Sequence, residues 1–257
     1  MIIASWNVNS ISVRLPHVLD WLEKNEPNVL CIQETKSPDE KFPKEELEKA
    51  GYHCQFFGEK AYNGVAVLSR EQPTSIQKGF PDESVSDSKR LMDVQFGSLS
   101  IINVYIPNGQ DVGADKYLYK LSWMKQLLEY LSSHHNPDEH VILCGDFNVA
   151  PEDRDVYDPV GLAGHILLSQ AERAHLDEIK NWGFVDTFRQ HHEDPGHYSW
   201  WDYRAMSFRR KQGLRIDHMW ASQPLSKICT RSWIDAAPRK LDRPSDHAPI
   251  AAEFKLP

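Results

Sequence analysis

The 257-residue chain has little of what marks a secreted, membrane-spanning or disordered protein. Cysteine is scarce. Cys31, Cys54, Cys144 and Cys229 share no short spacing, so neither a disulfide framework nor a thiolate zinc site is expected. Cys31 and Cys144 lie inside apolar, strand-like runs, the ordinary place for a small buried thiol, and a reducing cytoplasm is the expected setting. No apolar run approaches ~18 residues, so no membrane span is expected. The opening residues, MIIASWNVNS, carry no basic region and read as a strand rather than a secretory signal. Linker-like and low-complexity stretches are missing, which points to a single domain over residues 1–257. Positive charge is short as well, with a formal net charge of −8. That balance argues against a broadly basic polyanion binder. It leaves room for a local one, because five basic residues and no acidic one lie between Arg204 and Arg215.

What is present is patterned apolar sequence, 40% of the chain, enough for a sizeable core. Runs rich in β-branched and aromatic residues predict strands over 1–8, 29–33, 52–57, 64–69, 92–96, 100–106, 140–144, 216–220, 227–234 and 249–254. Helical spacing appears at Leu15, Val18, Leu19 and Leu22, ending before Pro27. It returns at Tyr117, Leu118, Leu121, Met124, Leu128 and Leu131, with Asp115 at the favourable end of the helix dipole. A third helix is expected over 172–182, closed by Gly183. The runs 52–57 and 64–69, and likewise 92–96 and 100–106, are too close for a crossover helix and must form hairpins. Many strands with few helices therefore predict an α/β (α+β) fold of two packed, partly antiparallel sheets with helices outside.

Polar residues gather where these strands end. The first strand closes on Trp6-Asn7-Val8-Asn9, the second runs into Gln33-Glu34, and 140–144 leads to Gly145-Asp146-Phe147-Asn148. Tyr105 is followed by Pro107-Asn108, Ile216 by Asp217, and the last strand is preceded by Ser245-Asp246-His247. Any one Asn or Asp after a strand reads as a turn-former. As a set, hard oxygen donors without a thiolate pair or His-rich spacing suit magnesium, with manganese as a substitute, and suit zinc poorly. A divalent metal would also cancel part of an acidic pocket.

These segments, together with Ile32-Gln33-Glu34-Thr35-Lys36, Leu214-Arg215-Ile216-Asp217 and Ser199-Trp200-Trp201-Asp202-Tyr203-Arg204, occur in the order and approximate spacing of the exonuclease III family. That family is the bacterial branch of abasic-site endonucleases within the endonuclease/exonuclease/phosphatase superfamily, and the resemblance runs nearly the full length. It implies a four-layer αββα sandwich, deoxyribonuclease I-like, with two mixed sheets. It implies magnesium held by Glu34 with Asn7 and Asp246, and water activated or oriented by Asp146 and held by Asn148. His247 would contact a phosphate oxygen with its ring fixed by Asp217, and Tyr105 would contact the phosphate. Trp200, Trp201 and Leu214 would wall a pocket for a flipped-out abasic sugar, the tryptophans reading equally as core. Arg90, Asn108 and Arg204, with Arg209, Arg210 and Lys211, would meet backbone phosphates, although a solvated basic loop fits the last three as well. The implied partner is double-stranded DNA with 3′ ends, nicks or abasic sites, with no membrane and the protein a monomer.

Two places depart from the family. Ser10 stands where the first motif usually continues with glycine. After Asn148 the family normally reaches a small residue and Phe-x-Pro, whereas here the chain reads Gly164-His165-Ile166-Leu167-Leu168-Ser169-Gln170-Ala171-Glu172-Arg173. Should that loop line the sugar pocket, His165 or Leu167 would narrow it, weakening cleavage at internal abasic sites while sparing 3′-terminal phosphate. Two other readings stay open on the residues alone: a phosphodiesterase of the same superfamily with a non-DNA substrate, and a non-catalytic DNA-binding module.

Overall fold

The computed structural model describes residues 1–81 and 89–256. Two six-stranded sheets pack face to face. The first has the order β11-β12-β1-β2-β4-β3, built from β1 (Ile2–Asn7), β2 (Val29–Gln33), β3 (His53–Phe57), β4 (Val65–Ser69), β11 (Cys229–Ile234) and β12 (Ile250–Phe254). The second has the order β5-β6-β7-β8-β10-β9, built from β5 (Ser75–Lys78), β6 (Leu91–Phe96), β7 (Leu99–Tyr105), β8 (His140–Asp146), β9 (Phe184–Asp186) and β10 (Asp217–Ser222). Each sheet holds one parallel pair, β1 with β2 and β7 with β8, among antiparallel neighbours. Parallel neighbours need a crossover, and α1 (Ile11–Asn25) and α3 (Asp115–His134) supply the two. The expected hairpins β3–β4 and β6–β7 are both present.

Alternation along the strands divides the apolar residues into layers. Ile3, Cys31 and Val67 of the first sheet meet Val94, Ile101 and Cys144 of the second in the central layer. The intervening residues Trp6, Leu30 and Leu68 face α1, while Ile102, Val104 and Leu143 face α3 and α4 (Gln170–Asn181). The result is the expected αββα sandwich. A polar bridge crosses the central layer: Gln33 Nε2 donates to Ser5 Oγ at 2.9 Å and to Asn103 Oδ1 at 2.7 Å. Asn103 Nδ2 in turn donates to the carbonyls of Ile32 and Ala66. Directed hydrogen bonds between buried amides resist sliding, so this bridge sets the register of one sheet on the other just below the strand ends.

Some expectations needed correction. The edge strand β5, the three-residue β9, and the short helices α2 (Lys44–Lys49), α5 (Thr187–His191) and α6 (Gln223–Ser226) were not foreseen. β10 begins one residue after the expected Ile216, and α4 begins at Gln170, where the Ser169–Glu172 capping box starts it. On α3 the buried stripe is Tyr117, Lys120, Trp123, Met124, Leu127, Tyr130 and Leu131, whereas Leu118, expected inside, is 59% exposed. Among the described residues no helix is long and apolar enough to cross a membrane.

Candidate active site

One end of the sandwich collects the C-terminal ends of β1, β2, β7 and β8 and the N-terminal starts of β10 and β12. β10 runs antiparallel to β8 with Asp217 opposite Asp146, and Tyr105 lies opposite Asp146 across β7–β8. Gly145 makes that close approach feasible: at φ +139, a Cβ there would sit 1.9 Å from the Val104 carbonyl oxygen. Glu34 and Asn148 leave their strands with left-handed backbones, φ +51 and +49. Such conformations cost a non-glycine residue energy and are found where surroundings over-determine them.

The side chains converge. Asn7 donates from one Nδ2 to Glu34 Oε1 and to Asp146 Oδ2, both at 2.8 Å. Ligand atoms of Glu34, Asp146 and His247 all lie within 4.8 Å of one another. The Nδ1 of His247 donates to Asp217 at 2.9 Å, which turns Nε2 toward Asp146 Oδ2 at 3.7 Å. Asp217 is itself held by the Ser199 hydroxyl at 2.6 Å. Asn148 stands on the other side of Asp146, its backbone N–H on Asp146 Oδ1 at 2.9 Å and its Oδ1 accepting from Asn108 at 3.0 Å.

Burial and neighbours set the charges. Burial disfavours the charged imidazolium of His247, but Asp217 and Asp146 outweigh it and lift its pKa to about 10, so it is a cation at neutral pH. Burial, then the Asp217 and Glu34 carboxylates, push Asp146 up to about 7, with His247 pulling the other way. Burial, then Glu34 and Asp146, raise Tyr105 well above the phenol range and keep its hydroxyl protonated. The site thus offers a fixed cation, a carboxylate that can exchange a proton near neutrality, and a neutral hydroxyl donor. Its carboxylates Glu34 and Asp146 are hard oxygen donors spaced to share a small divalent cation.

The remaining expected residues divide. Trp200, Leu214, His165 and Arg204 line one cavity of about 480 Å³, together with Leu162, Ile166, Leu167 and Leu168. Trp200 is pinned there by β-bridges to Leu214 and His247. Trp201 does not reach the cavity; it is 6% exposed and packs edge-on against Phe208. Arg204 turns its guanidinium onto Asp202 at 2.6 Å. Arg90 and Asn108 line a separate cleft with Tyr105, Arg90 stacking over the tyrosine ring at 4.5 Å. Asp246 falls outside the Glu34 group. Its carboxylate accepts from Asn9 Nδ2 at 2.9 Å and Trp200 Nε1 at 3.0 Å, so it orients the cavity wall. The side-chain Oδ1 of Asn7 accepts from the Asn9 N–H at 3.0 Å, and its Nδ2 braces the two carboxylates.

Ser199, Asn9, Lys36 and Lys120 were missed as site residues. Lys36 bridges Glu34 at 2.8 Å and Asn9 at 2.5 Å, and both lie within quoted motifs, so proximity to Glu34 and Asn7 was an available signal. Ser199 likewise opens the segment Ser199-Trp200-Trp201-Asp202-Tyr203-Arg204, whereas nothing in the local pattern marks Lys120.

Two packed mixed sheets with a carboxylate, amide and histidine group at their shared end define a deoxyribonuclease I-like sandwich with a candidate hydrolytic site. The model of the endonuclease/exonuclease/phosphatase family matches residues 4–247, and the chain belongs to that family. Within it, the chain is a hydrolase of the exonuclease III class. It is 35% identical to exodeoxyribonuclease III of Haemophilus influenzae, over 98% of each chain. Its fold superposes on an AP endonuclease from Archaeoglobus fulgidus with a TM-score of 0.97 at 38% identity, covering 100% of both. A 3′ phosphatase from Neisseria, solved bound to a product DNA hairpin, matches with a TM-score of 0.95 at 39% identity, again over 100% of both chains.

Proposed function

We propose that this protein hydrolyses phosphate esters at DNA 3′ ends, acting as a 3′–5′ exonuclease and 3′-phosphatase or phosphodiesterase, with weaker cleavage 5′ of internal abasic sites. The observation that carries the reading is the amide-braced Glu34–Asp146 pair facing the Asp217–His247 pair beside a cavity walled by Trp200 and Leu214. Glu34 and Asp146 fit magnesium or manganese, which when bound would neutralise the scissile phosphate and the departing 3′ oxygen.

The chain's own groups account for the rest. Asp146 takes a proton from the attacking water, whose oxygen bonds to phosphorus as the bond to the 3′ oxygen breaks. Asn148, fixed by Asn108, keeps that water or the phosphate in line. The imidazolium of His247 stabilises charge gathering on a phosphate oxygen, and Asp217 keeps it charged and aimed. Tyr105 donates its hydroxyl proton in a hydrogen bond to the phosphate.

The lesion preference rests on the loop that departs from the family. His165, Ile166 and Leu167 stand on the cavity wall, and Leu167 is buried with φ +73, its carbonyl held by the Ala150 N–H at 2.8 Å. A fixed wall narrows the space for an extruded sugar, while a frayed 3′ end needs no extrusion. The chain's structural relatives include both a 3′ phosphatase and an AP endonuclease. Paired duplexes, one nicked with a 3′-phosphate and one carrying an internal abasic analogue, separate the readings. The expected result is rapid, chelator-sensitive phosphate release with slow internal cleavage. Equal, fast turnover of both would sink the lesion preference, and no phosphate release would sink the function.

A further inference from the structure

Lys120 lies on the inner face of α3 with no exposed surface, an unusual place for an ammonium group. Its Nζ has three protons and three partners: the Asn148 carbonyl at 2.6 Å, the Asn108 carbonyl at 3.2 Å, and the Glu172 carboxylate. The first two are the backbone oxygens of the very residues whose side-chain amides join at the site. Glu172 is equally buried and equally committed. Its Oε1 accepts the Leu167 N–H at 3.1 Å, and its Oε2 accepts the Ser169 N–H at 3.0 Å and the Ser169 hydroxyl at 2.7 Å. Leu167 stands on the wall of the cavity. One buried ion pair thus touches the two amides beside Asp146 on one side and the cavity loop on the other.

An apolar pair would fill the same space without desolvating two charges, but it would strand the N–H groups of Leu167 and Ser169 that Glu172 accepts. An apolar pair could not fix the carbonyls of Asn108 and Asn148. Burial works against the charged form of Lys120, and Glu172 works for it. We infer that Lys120 and Glu172 are positioning residues, which lock Asn148 in its left-handed conformation and tie it to the cavity loop, so that phosphate alignment and cavity shape are set together. The inference rests on the role given to Asn148 in the proposed function.

The test is a cycle between Asn148→Ala and the double replacement Lys120→Met with Glu172→Leu, assayed on the nicked 3′-phosphate duplex. The double replacement removes both charges together and leaves no orphaned ion. Its kcat is expected to fall on the order of 10- to 100-fold with KM within about threefold, as misalignment of a reacting group requires. In the Asn148→Ala background the same replacement should cost less than about twofold, because the residue it positions is gone. An undiminished loss in that background, or an unchanged kcat in the parent, overturns the inference. An Asn148→Ala variant with full activity instead removes Asn148 from its role, and this inference with it. If the double replacement does not fold, Glu172→Gln, of equal size, takes its place in the cycle, with a several-fold kcat loss that must likewise vanish without the Asn148 amide.

Discussion

His218 offers a direct measure of how tightly the strand behind the site is held. It is 1% exposed, packed edge-on against Phe147 with centroids 5.0 Å apart, in the segment between Asp146 and Asn148. Its Nε2–H donates to the Val149 carbonyl at 2.9 Å, and its Nδ1 accepts from Arg215 Nη1 at 3.0 Å. Arg215 is also buried, on Asp155 at 2.6 Å and Asp186 at 2.8 Å. A second proton on His218 would break the Arg215 bond and set two cations together. Burial first, then Arg215, lower its pKa from 6.5 to about 4. The unfolded chain therefore binds this proton more readily than the native one. The stability that a neutral His218 provides is complete above pH ~6.5 and is lost as pH falls toward ~4. The size follows from the shift: about 2 kcal/mol is lost by pH 5 and about 3 kcal/mol by pH 4. His218→Gln keeps one donor for Val149 and one acceptor for Arg215 but cannot be protonated. Urea unfolding at several pH values between 7 and 4 should show the wild-type protein losing about 2–3 kcal/mol more than the variant, with equal m-values. Parallel pH profiles would refute the reasoning, because they would mean that His218 is charged or released in the native state.

Two further expectations follow from the same structure. Asp217→Asn keeps the shape beside His247 but removes the charge that outweighs its burial, so kcat on a nicked 3′-phosphate duplex should fall by about 10²–10⁴ at neutral pH; steady-state kinetics with a normal melting temperature as control would check it, and a loss below tenfold would remove the pair from catalysis. Ser10, with φ +94, occupies backbone space that favours glycine, and Ser10→Gly should raise the unfolding free energy by about 1 kcal/mol; a melting temperature that falls on this substitution contradicts that placement.

Legibility followed burial. β2 and β4 are buried at every position and stood out as apolar runs, while the edge strand β5 is mostly exposed and carries a single large apolar residue, Ile76. α5 is five residues long, started by the Asp186 carboxylate accepting from the N–H groups of Phe188 and Arg189, which leaves no room for periodicity. On α3 the leucines suggested a stripe that included Leu118. The true stripe passes through Lys120, and one polar residue at an inner position was enough to rotate the reading. The site shows the same division. Glu34, Asp146, Asp217 and His247 lie at strand ends in recognisable segments, and the structure brings them together. What Asp246 and Trp201 touch depends on residues far along the chain, Asn9 and Trp200 for the first and Arg239 for the second, and no local pattern encodes that.

The site's groups are divided between the two sheets. Asn7, Glu34 and His247 stand at the ends of β1, β2 and β12 in the first sheet, and Tyr105, Asp146 and Asp217 at the ends of β7, β8 and β10 in the second. Packed sheets lie about 10 Å apart, a distance set by the side chains between them. The contact between Asn7 and Asp146, and that between His247 and Asp217, are therefore read-outs of how the central layer packs. That layer is largely apolar, and near the site Gln33 joins Ser5 and Asn103 across it. Apolar packing fixes a spacing but tolerates sliding, whereas directed hydrogen bonds between the sheets resist it. The bridge belongs to the residue just before Glu34 and the one two before Tyr105, so a slip of one sheet on the other must break it before it can misalign the carboxylates.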